Sequence, residues 1–160
     1  MSIRAKYEAE LDKVFVKLVD MCHETQLSIE KSISALKNRD KALAREVMSE
    51  DAHIDAMERD IEQDCLKILL MEHPFAGDFR DVSAALKMIT DLERIADQAA
   101  DISELSLQFG DDNYIKEPEH IEIMSKLVIG MVRDSVASYI NRDLETAMGL
   151  DKRDDRVDAL

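Results

Sequence analysis

Residues 11–36 read LDKVFVKLVDMCHETQLSIEKSISAL, and this stretch decides the fold class. Its apolar side chains recur every three or four residues, which is the period of one face of an α-helix. The positions that share this face are Leu11, Val14, Phe15, Leu18, Met21, Cys22, Thr25, Ile29, Ile33 and Leu36. We therefore predict one long helix over about residues 4–37.

The same period continues along the rest of the chain and predicts four more helices. The polar break Asn38-Arg39-Asp40 separates the first two helices, and Asp40 can cap the second. A turn at residues 73–77 precedes the third helix, which Asp78 can cap. The four predicted segments are about 41–72, 78–109, 119–140 and 143–160. Long helices joined by short turns fold back as antiparallel neighbours, so the first three predict a three-helix bundle.

Composition agrees with an all-α protein and excludes several classes of function. The 160 residues are 46% hydrophobic and 35% charged, with 4 Gly and 2 Pro, so helix formers dominate. The formal net charge of −14 repels a phosphate backbone, so we expect no nucleic-acid partner. No apolar run approaches the ~20 residues of a membrane span, which predicts a cytoplasmic protein without direct membrane insertion. Cys22 and Cys65 are isolated in the sequence and are predicted to pack in the core.

An internal repeat divides the chain. A shift of 103 residues aligns Asn38-Arg39-Asp40 with Asn141-Arg142-Asp143, and eight identities fall between residues 28 and 57. We therefore predict tandem antiparallel three-helix bundles of which the second is incomplete. Residues 1–112 form the first repeat, and residues 113–160 form the first two helices of the second. By this register a sixth helix is expected after Leu160, where the sequence stops. Without that helix, the apolar stripe of the fourth and fifth helices would be exposed, and another subunit could cover it.

Two pairs of carboxylates mark the candidate site. Asp51 and Asp55 stand at positions i and i+4 of the second helix, and Glu93 and Asp97 do so on the third. Each pair shares one face of its helix and flanks the buried stripe. A turn centred near residues 75 and 76 places all four at one level of the hairpin.

Asp154 and Asp158 repeat the first pair on the fifth helix. Clustered carboxylates repel one another and call for protons, basic partners or metal ions. Hard oxygen ligands suit Mg, Mn, Ca or Fe better than Zn or Cu. The alternative is a solvated acidic face with Lys or Arg nearby, which is common in a chain this rich in charge. His53 is predicted to point away from the cluster, because it lies about 160° around the helix from both aspartates.

The segment from Asp91 to Ile102, DLERIADQAADI, resembles the signature of the PhoU family of phosphate-transport regulators, usually DLERIGDHA. The segment from His73 to Arg80, HPFAGDFR, resembles the entry to the same helix in that family. Ala96 and Gln98 replace the usual Gly and His of the signature. The resemblance covers the whole chain, including the tandem repeat.

The resemblance implies that Asp51, Asp55, Glu93 and Asp97 match the family's metal motifs, which bind multinuclear iron or other divalent ions in some members. It implies a homodimeric, non-enzymatic negative regulator in the cytoplasm that links the Pst phosphate ABC transporter to a sensor histidine kinase. Such a protein would reach the inner face of the membrane through its protein partners. Fe, Mn or Mg is the expected cofactor.

Two other readings of the residues stay open. One is a carboxylate-bridged, metal-binding helical enzyme or ion store, although the Glu-x-x-His pairs of helical di-iron enzymes do not occur at the acidic level. The other is a metal-free helical interaction module whose acidic stripe is only solvated. No nucleophile elbow or glycine-rich phosphate loop occurs in the sequence, so we predict no catalytic residues.

Overall fold

Five α-helices account for the secondary structure of this chain in a computed structural model, which describes residues 3–70, 76–109 and 119–160. No strand occurs within these three ranges. The all-α prediction is therefore confirmed. The helices are α1 (Ile3–Asn38), α2 (Lys41–Leu69), α3 (Ala76–Gln108), α4 (Glu119–Asn141) and α5 (Leu144–Asp158).

The turn between α1 and α2 forms as the polar break predicts. Asp40 is the N-cap of α2, and its carboxylate accepts hydrogen bonds from the backbone N–H groups of Ala42 and Leu43, both at 3.0 Å. These bonds satisfy two of the backbone donors that a helix start leaves unpaired. Arg39 takes the left-handed conformation (φ 55°) that reverses the chain within two residues. The turn is short enough to make α1 and α2 antiparallel neighbours.

The first three helices form one antiparallel bundle. Lys17 of α1 donates to Asp64 of α2 at 2.5 Å, and Lys31 donates to Glu50 at 2.8 Å, so α2 runs back along α1. Helix α3 packs against both of them. The core between the helices includes Val14, Leu18, Met21, Val47, Ile54, Ile61, Cys65, Ile68, Val82 and Ile89, each no more than 2% exposed.

Near the α1–α2 turn, alanines occupy the buried positions, whereas the periodic pattern predicts that the neighbouring leucines are buried. Ala35 and Ala44 are fully buried beside the α1–α2 turn, whereas Leu36 and Leu43 are only partly buried. Helices that approach closely at a tight turn leave room for a methyl group and not for an isobutyl group. Near this turn, the buried face of each helix is therefore shifted by one residue from the face that the sequence pattern predicts.

Helices α4 and α5 repeat the geometry of α1 and α2. Asp143 caps α5 as Asp40 caps α2, and Arg142 takes the same left-handed conformation (φ 54°) as Arg39. The predicted repeat therefore extends to the backbone of both turns. Helix α4 packs on α1, while α5 packs on α4 and has no buried residue.

The α4 helix is held to the first bundle at its C-terminal end. The ring of Tyr139 meets Phe15 of α1 edge to face, with centroids 5.6 Å apart, and its hydroxyl donates to the backbone carbonyl of Asp81 at 2.5 Å. The Cys22 thiol donates to the carbonyl of Val132 at 3.8 Å. Both cysteines are buried, as predicted.

Three details differ from the sequence prediction. Helix α2 ends at Leu69, and α5 ends at Asp158 instead of continuing to Leu160. Asp78 is not the N-cap of α3, because the helix begins at Ala76. Its carboxylate lies in the first turn and accepts a hydrogen bond from Arg4 of α1 at 2.6 Å, so it joins two helices.

The predicted turn at 73–77 is wrong for Ala76 and Gly77, which form the start of α3, and its residues 73–75 lie outside the described residues. Residues 110–118 and the domain boundary at 112/113 also lie outside the described residues. The division of the chain at that boundary stays a prediction. Among the helices described here, none combines the length and the apolar character needed to cross a membrane.

Candidate metal centre

Three of the predicted carboxylates meet between α2 and α3. Asp51, Asp55 and Asp97 each offer an oxygen, and these oxygens all lie within 4.8 Å of one another. The two residues of α2 are four positions apart and therefore share a face. Asp97 lies on α3, which runs antiparallel to α2 and packs against it. The predicted pairing across the hairpin is thus present in the structure.

The buried stripes of the two helices hold these carboxylates in place. Ile54 of α2 is 2% exposed and Ala96 of α3 is 1% exposed, and each lies next to an aspartate of the cluster. Because the apolar side chains fix the rotation of both helices, the aspartates emerge at the edge of the core. Asp51 and Asp55 are consequently partly buried.

Burial and the charges of its neighbours disfavour ionisation of Asp51. The pKa of Asp51 is raised above its ordinary value, first by burial and then by the charges of Asp97 and Asp55, and a hydrogen bond to Asp97 adds to the shift. A carboxyl that hydrogen-bonds another carboxyl must share a proton with it or be bridged by a cation. Additional positive charge, from a proton or a bound cation, would therefore stabilise the cluster.

Glu93 lies beside the three aspartates and belongs to the same electrostatic unit. Its pKa is raised by burial, and next by the charges of Asp97 and Glu58. It is not one of the three residues whose oxygens meet within 4.8 Å. The sequence placed all four carboxylates at one level, and the structure separates a compact group of three from a flanking fourth.

Two neighbours that the sequence analysis did not single out complete the surroundings. Arg59 lies one turn after Asp55, and its guanidinium is 3.9 Å from that carboxylate. Thr90 donates its hydroxyl to Glu58 at 3.1 Å, which ties α3 to α2 one turn from the cluster. The i,i+4 spacing of Asp55 and Arg59 is a signal that could have revealed this ion pair. His53 is exposed, as predicted.

Asp154 and Asp158 lie on α5 and are exposed. Asp154 lines an apolar groove of about 340 Å³ between α3, α4 and α5, together with Met88, Ile95, Met131 and other side chains. Neither residue belongs to the three-carboxylate group. Their role as a second ligand pair stays a prediction.

The donor set of the cluster fits a hard metal ion. Three carboxylate oxygens from two helices provide negative charge, and the group contains no imidazole or thiolate. Mg²⁺, Mn²⁺ and iron accept such oxygen ligands and complete their coordination with water. A bound cation would also remove the repulsion that raises the pKa of Asp51. The arrangement can therefore hold a metal and, in doing so, join α2 to α3.

Comparison with known proteins places this architecture in one family. The family model described as the PhoU domain matches residues 18–106 and 121–160. The phosphate-specific transport system accessory protein PhoU homolog of Aquifex aeolicus is 35% identical over 151 residues, which cover 94% of this chain and 68% of that protein. The homolog of Clostridium acetobutylicum is 30% identical over 158 residues, covering 98% of this chain and 72% of the relative.

A solved structure agrees with the sequence comparisons. The crystal structure of PhoU from Pseudomonas aeruginosa superposes with a TM-score of 0.90 at 27% sequence identity, over 96% of this chain and 74% of that one. The superposition extends over nearly all of the five helices. From its sequence matches, its fold and its repeat, this chain is a member of the PhoU family.

Proposed function

We propose that this protein is a regulator of phosphate uptake that acts as an accessory to a phosphate transporter. The observation that carries the proposal is the match over almost the whole chain to proteins described as phosphate-specific transport system accessory proteins. That description also agrees with the prediction that the chain is not an enzyme. The helical rods and exposed acidic faces suit a protein that works by contact with other proteins.

In detail, the proposal is a cytoplasmic negative regulator that links the Pst phosphate ABC transporter to a sensor histidine kinase. The protein would reach the inner face of the membrane by binding the transporter. The proposal also includes a homodimer, as the resemblance to the family implies.

The same proposal assigns a metal ion to the cluster. Asp51, Asp55 and Asp97 would be its ligands, and Glu93 would take part through water or in a multinuclear site. A bound cation would supply positive charge between α2 and α3 and fix the spacing of the hairpin. Asp154 and Asp158 would serve a second site if a helix with matching carboxylates lay alongside α5.

A reporter of phosphate-starvation gene expression tests the regulatory role. Deletion of the gene should leave the reporter active in phosphate-rich medium, and a plasmid copy should restore repression. A deletion that leaves the phosphate response unchanged would contradict the proposal.

Elemental analysis tests the metal site, with protein purified without chelators or a polyhistidine tag. We expect Fe, Mn or Mg in the wild type and its loss in Asp55→Ala/Asp97→Ala. A matched control, Asp151→Ala/Asp155→Ala, removes two exposed carboxylates of α5 and should retain the metal. Absence of metal from the wild type would favour a metal-free interaction module, and turnover of a substrate by the metal-loaded form would favour an enzyme.

A further inference from the structure

Large apolar side chains are exposed where the α2–α3 hairpin approaches its turn. Leu70 is 84% exposed, Phe79 is 56% exposed and Leu66 is 47% exposed. Side chains of this size strengthen binding when a partner buries them, because burial of apolar surface from water is favourable. The core of the bundle, which lies on the other side of both helices, does not use them.

The register of the hairpin places these three side chains together. The hydrogen bond from Thr90 to Glu58 fixes which residues of α2 and α3 lie opposite one another, and the carboxylate cluster gives the same alignment. When the same alignment is extended along both helices toward the turn, Leu70 lies opposite Phe79. Leu66 lies one helical turn before Leu70 on α2. All three exposed apolar side chains therefore lie at the turn end of the hairpin, which we call its apolar end.

The outer face of the hairpin becomes acidic farther from the turn. Along α2 and away from the turn, Glu62 lies one helical turn before Leu66 and is exposed, Glu58 lies one turn earlier, and Asp55 and Asp51 come next. Arg59 lies next to Glu58, with its guanidinium 3.9 Å from Asp55, so the carboxylates outnumber a single cation on this part of α2. At 1.5 Å per residue, about 22 Å separate Leu66 from Asp51. We call this surface, made of Leu66, Leu70, Phe79, Glu62 and Glu58, the hairpin face.

The order of apolar and acidic side chains along the hairpin face indicates which chemical groups a matching partner needs. Such a partner needs apolar side chains at one end and lysine or arginine about two to three helical turns away. An amphipathic helix meets this requirement, because its side chains recur at the same rise per residue. An anionic lipid surface does not meet it, because the carboxylates would repel the headgroups.

We propose that the hairpin face is the surface by which this protein docks on a basic, amphipathic helical segment of its protein partner. The inference rests on the proposed function, since the partner is taken to be the phosphate transporter. The apolar end supplies affinity, and the carboxylates orient the segment along the hairpin.

Binding to the organism's own phosphate transporter, reconstituted in neutral lipid vesicles, tests this docking surface. Full-length protein is titrated against transporter vesicles and against vesicles without transporter. Leu70→Glu, Phe79→Glu and Glu62→Lys should each weaken binding about tenfold or more, as for central interface residues. The matched controls are Val16→Glu, at a side chain of α1 that is 63% exposed, and Asp20→Lys, at an exposed carboxylate of α1. Both controls should bind like the wild type.

The outcomes separate the two proposals. If the wild-type protein does not bind the transporter, the proposed function is overturned. Tight wild-type binding that is unchanged by all three hairpin variants would overturn the docking surface alone. Equal binding to vesicles without transporter would also overturn it, in favour of a membrane surface. Circular dichroism and thermal unfolding show that each variant is folded, which is expected because every substituted side chain is exposed.

Discussion

Replacing Asp97 by Asn should change the stability of this protein in opposite directions with and without a divalent cation. In the metal-free protein, the carboxylate oxygens of Asp97, Asp51 and Asp55 lie within 4.8 Å of one another. Two unit charges at that distance repel by about 3.5 kcal/mol at an effective dielectric of 20. Solvent screening reduces this energy at a partly exposed site, so we expect the substitution to stabilise the metal-free protein by about 1 kcal/mol.

With a divalent cation the sign should reverse. A ligand at one hundred times its dissociation constant stabilises the folded state by about 2.7 kcal/mol. Removal of one of three carboxylates weakens binding, so the variant should lose most of this gain. In a chain of this size, 1 kcal/mol corresponds to about 2–4 °C in melting temperature. Thermal unfolding in EDTA and in Mn²⁺ should therefore rank the two proteins in opposite order.

Glu104→Gln is the matched control for this experiment. Glu104 is an exposed carboxylate two turns farther along α3. Its loss should leave both melting temperatures within about 1 °C of the wild type, as for most surface substitutions. Destabilisation of the metal-free protein by Asp97→Asn, or an undiminished response of that variant to Mn²⁺, would refute the reasoning.

The dependence on pH follows from the same cluster. Burial and the neighbouring carboxylates raise the pKa values of Asp51 and Glu93 in the folded protein. The folded state therefore binds more protons than the unfolded state between the ordinary and the raised values. Stability of the metal-free wild type should rise as the pH falls through that window. The advantage of Asp97→Asn should shrink over the same range.

Substitutions at three further positions test the local structure and packing of the fold. Tyr139→Phe removes the hydrogen bond to the carbonyl of Asp81 and keeps the contact with Phe15, so urea unfolding should show a loss of about 1–2 kcal/mol. Arg142→Gly should be more stable than Arg142→Ala by about 1 kcal/mol, because both lose the ion pair with Asp81 while only glycine adopts φ 54° without strain. Equal stability of these two variants would contradict the strain argument. Ile61→Ala should cost about 2–5 kcal/mol by opening a cavity in the core, measured by chemical denaturation.

Helices, turns and the pairing of carboxylates could be predicted from the sequence because each depends on local chemistry. The spacing of apolar residues sets the helices, and Asp40 and Asp143 cap them through bonds that span three residues at most. The pairing of Asp51 with Asp97 follows from two helices of nearly equal length on either side of one turn. A single antiparallel hairpin leaves little freedom in register once both apolar faces are buried.

Contacts that depend on the exact rotation and separation of helices could not be predicted in this way. Glu93 is four residues from Asp97 and shares its face, yet its carboxylate is not among the three whose oxygens lie within 4.8 Å of one another. Asp78 has the sequence context of a cap, but the partner that decides its role is Arg4, which lies 74 positions earlier in the chain. Such a partner becomes visible only when the parallel packing of α1 and α3 is known.

The α2–α3 hairpin joins the two proposals made for this protein. Its carboxylate cluster and its apolar end lie on the same two helices, which are rigid rods held in one register by the core and by the bond between Thr90 and Glu58. A cation in the cluster would neutralise charge on the outer face of the hairpin, and a basic partner segment would do the same. The cation and the partner segment would therefore compete for the same negatively charged carboxylates. Because coupling between sites is reciprocal, a metal ion that weakens docking must be bound more weakly by the docked protein.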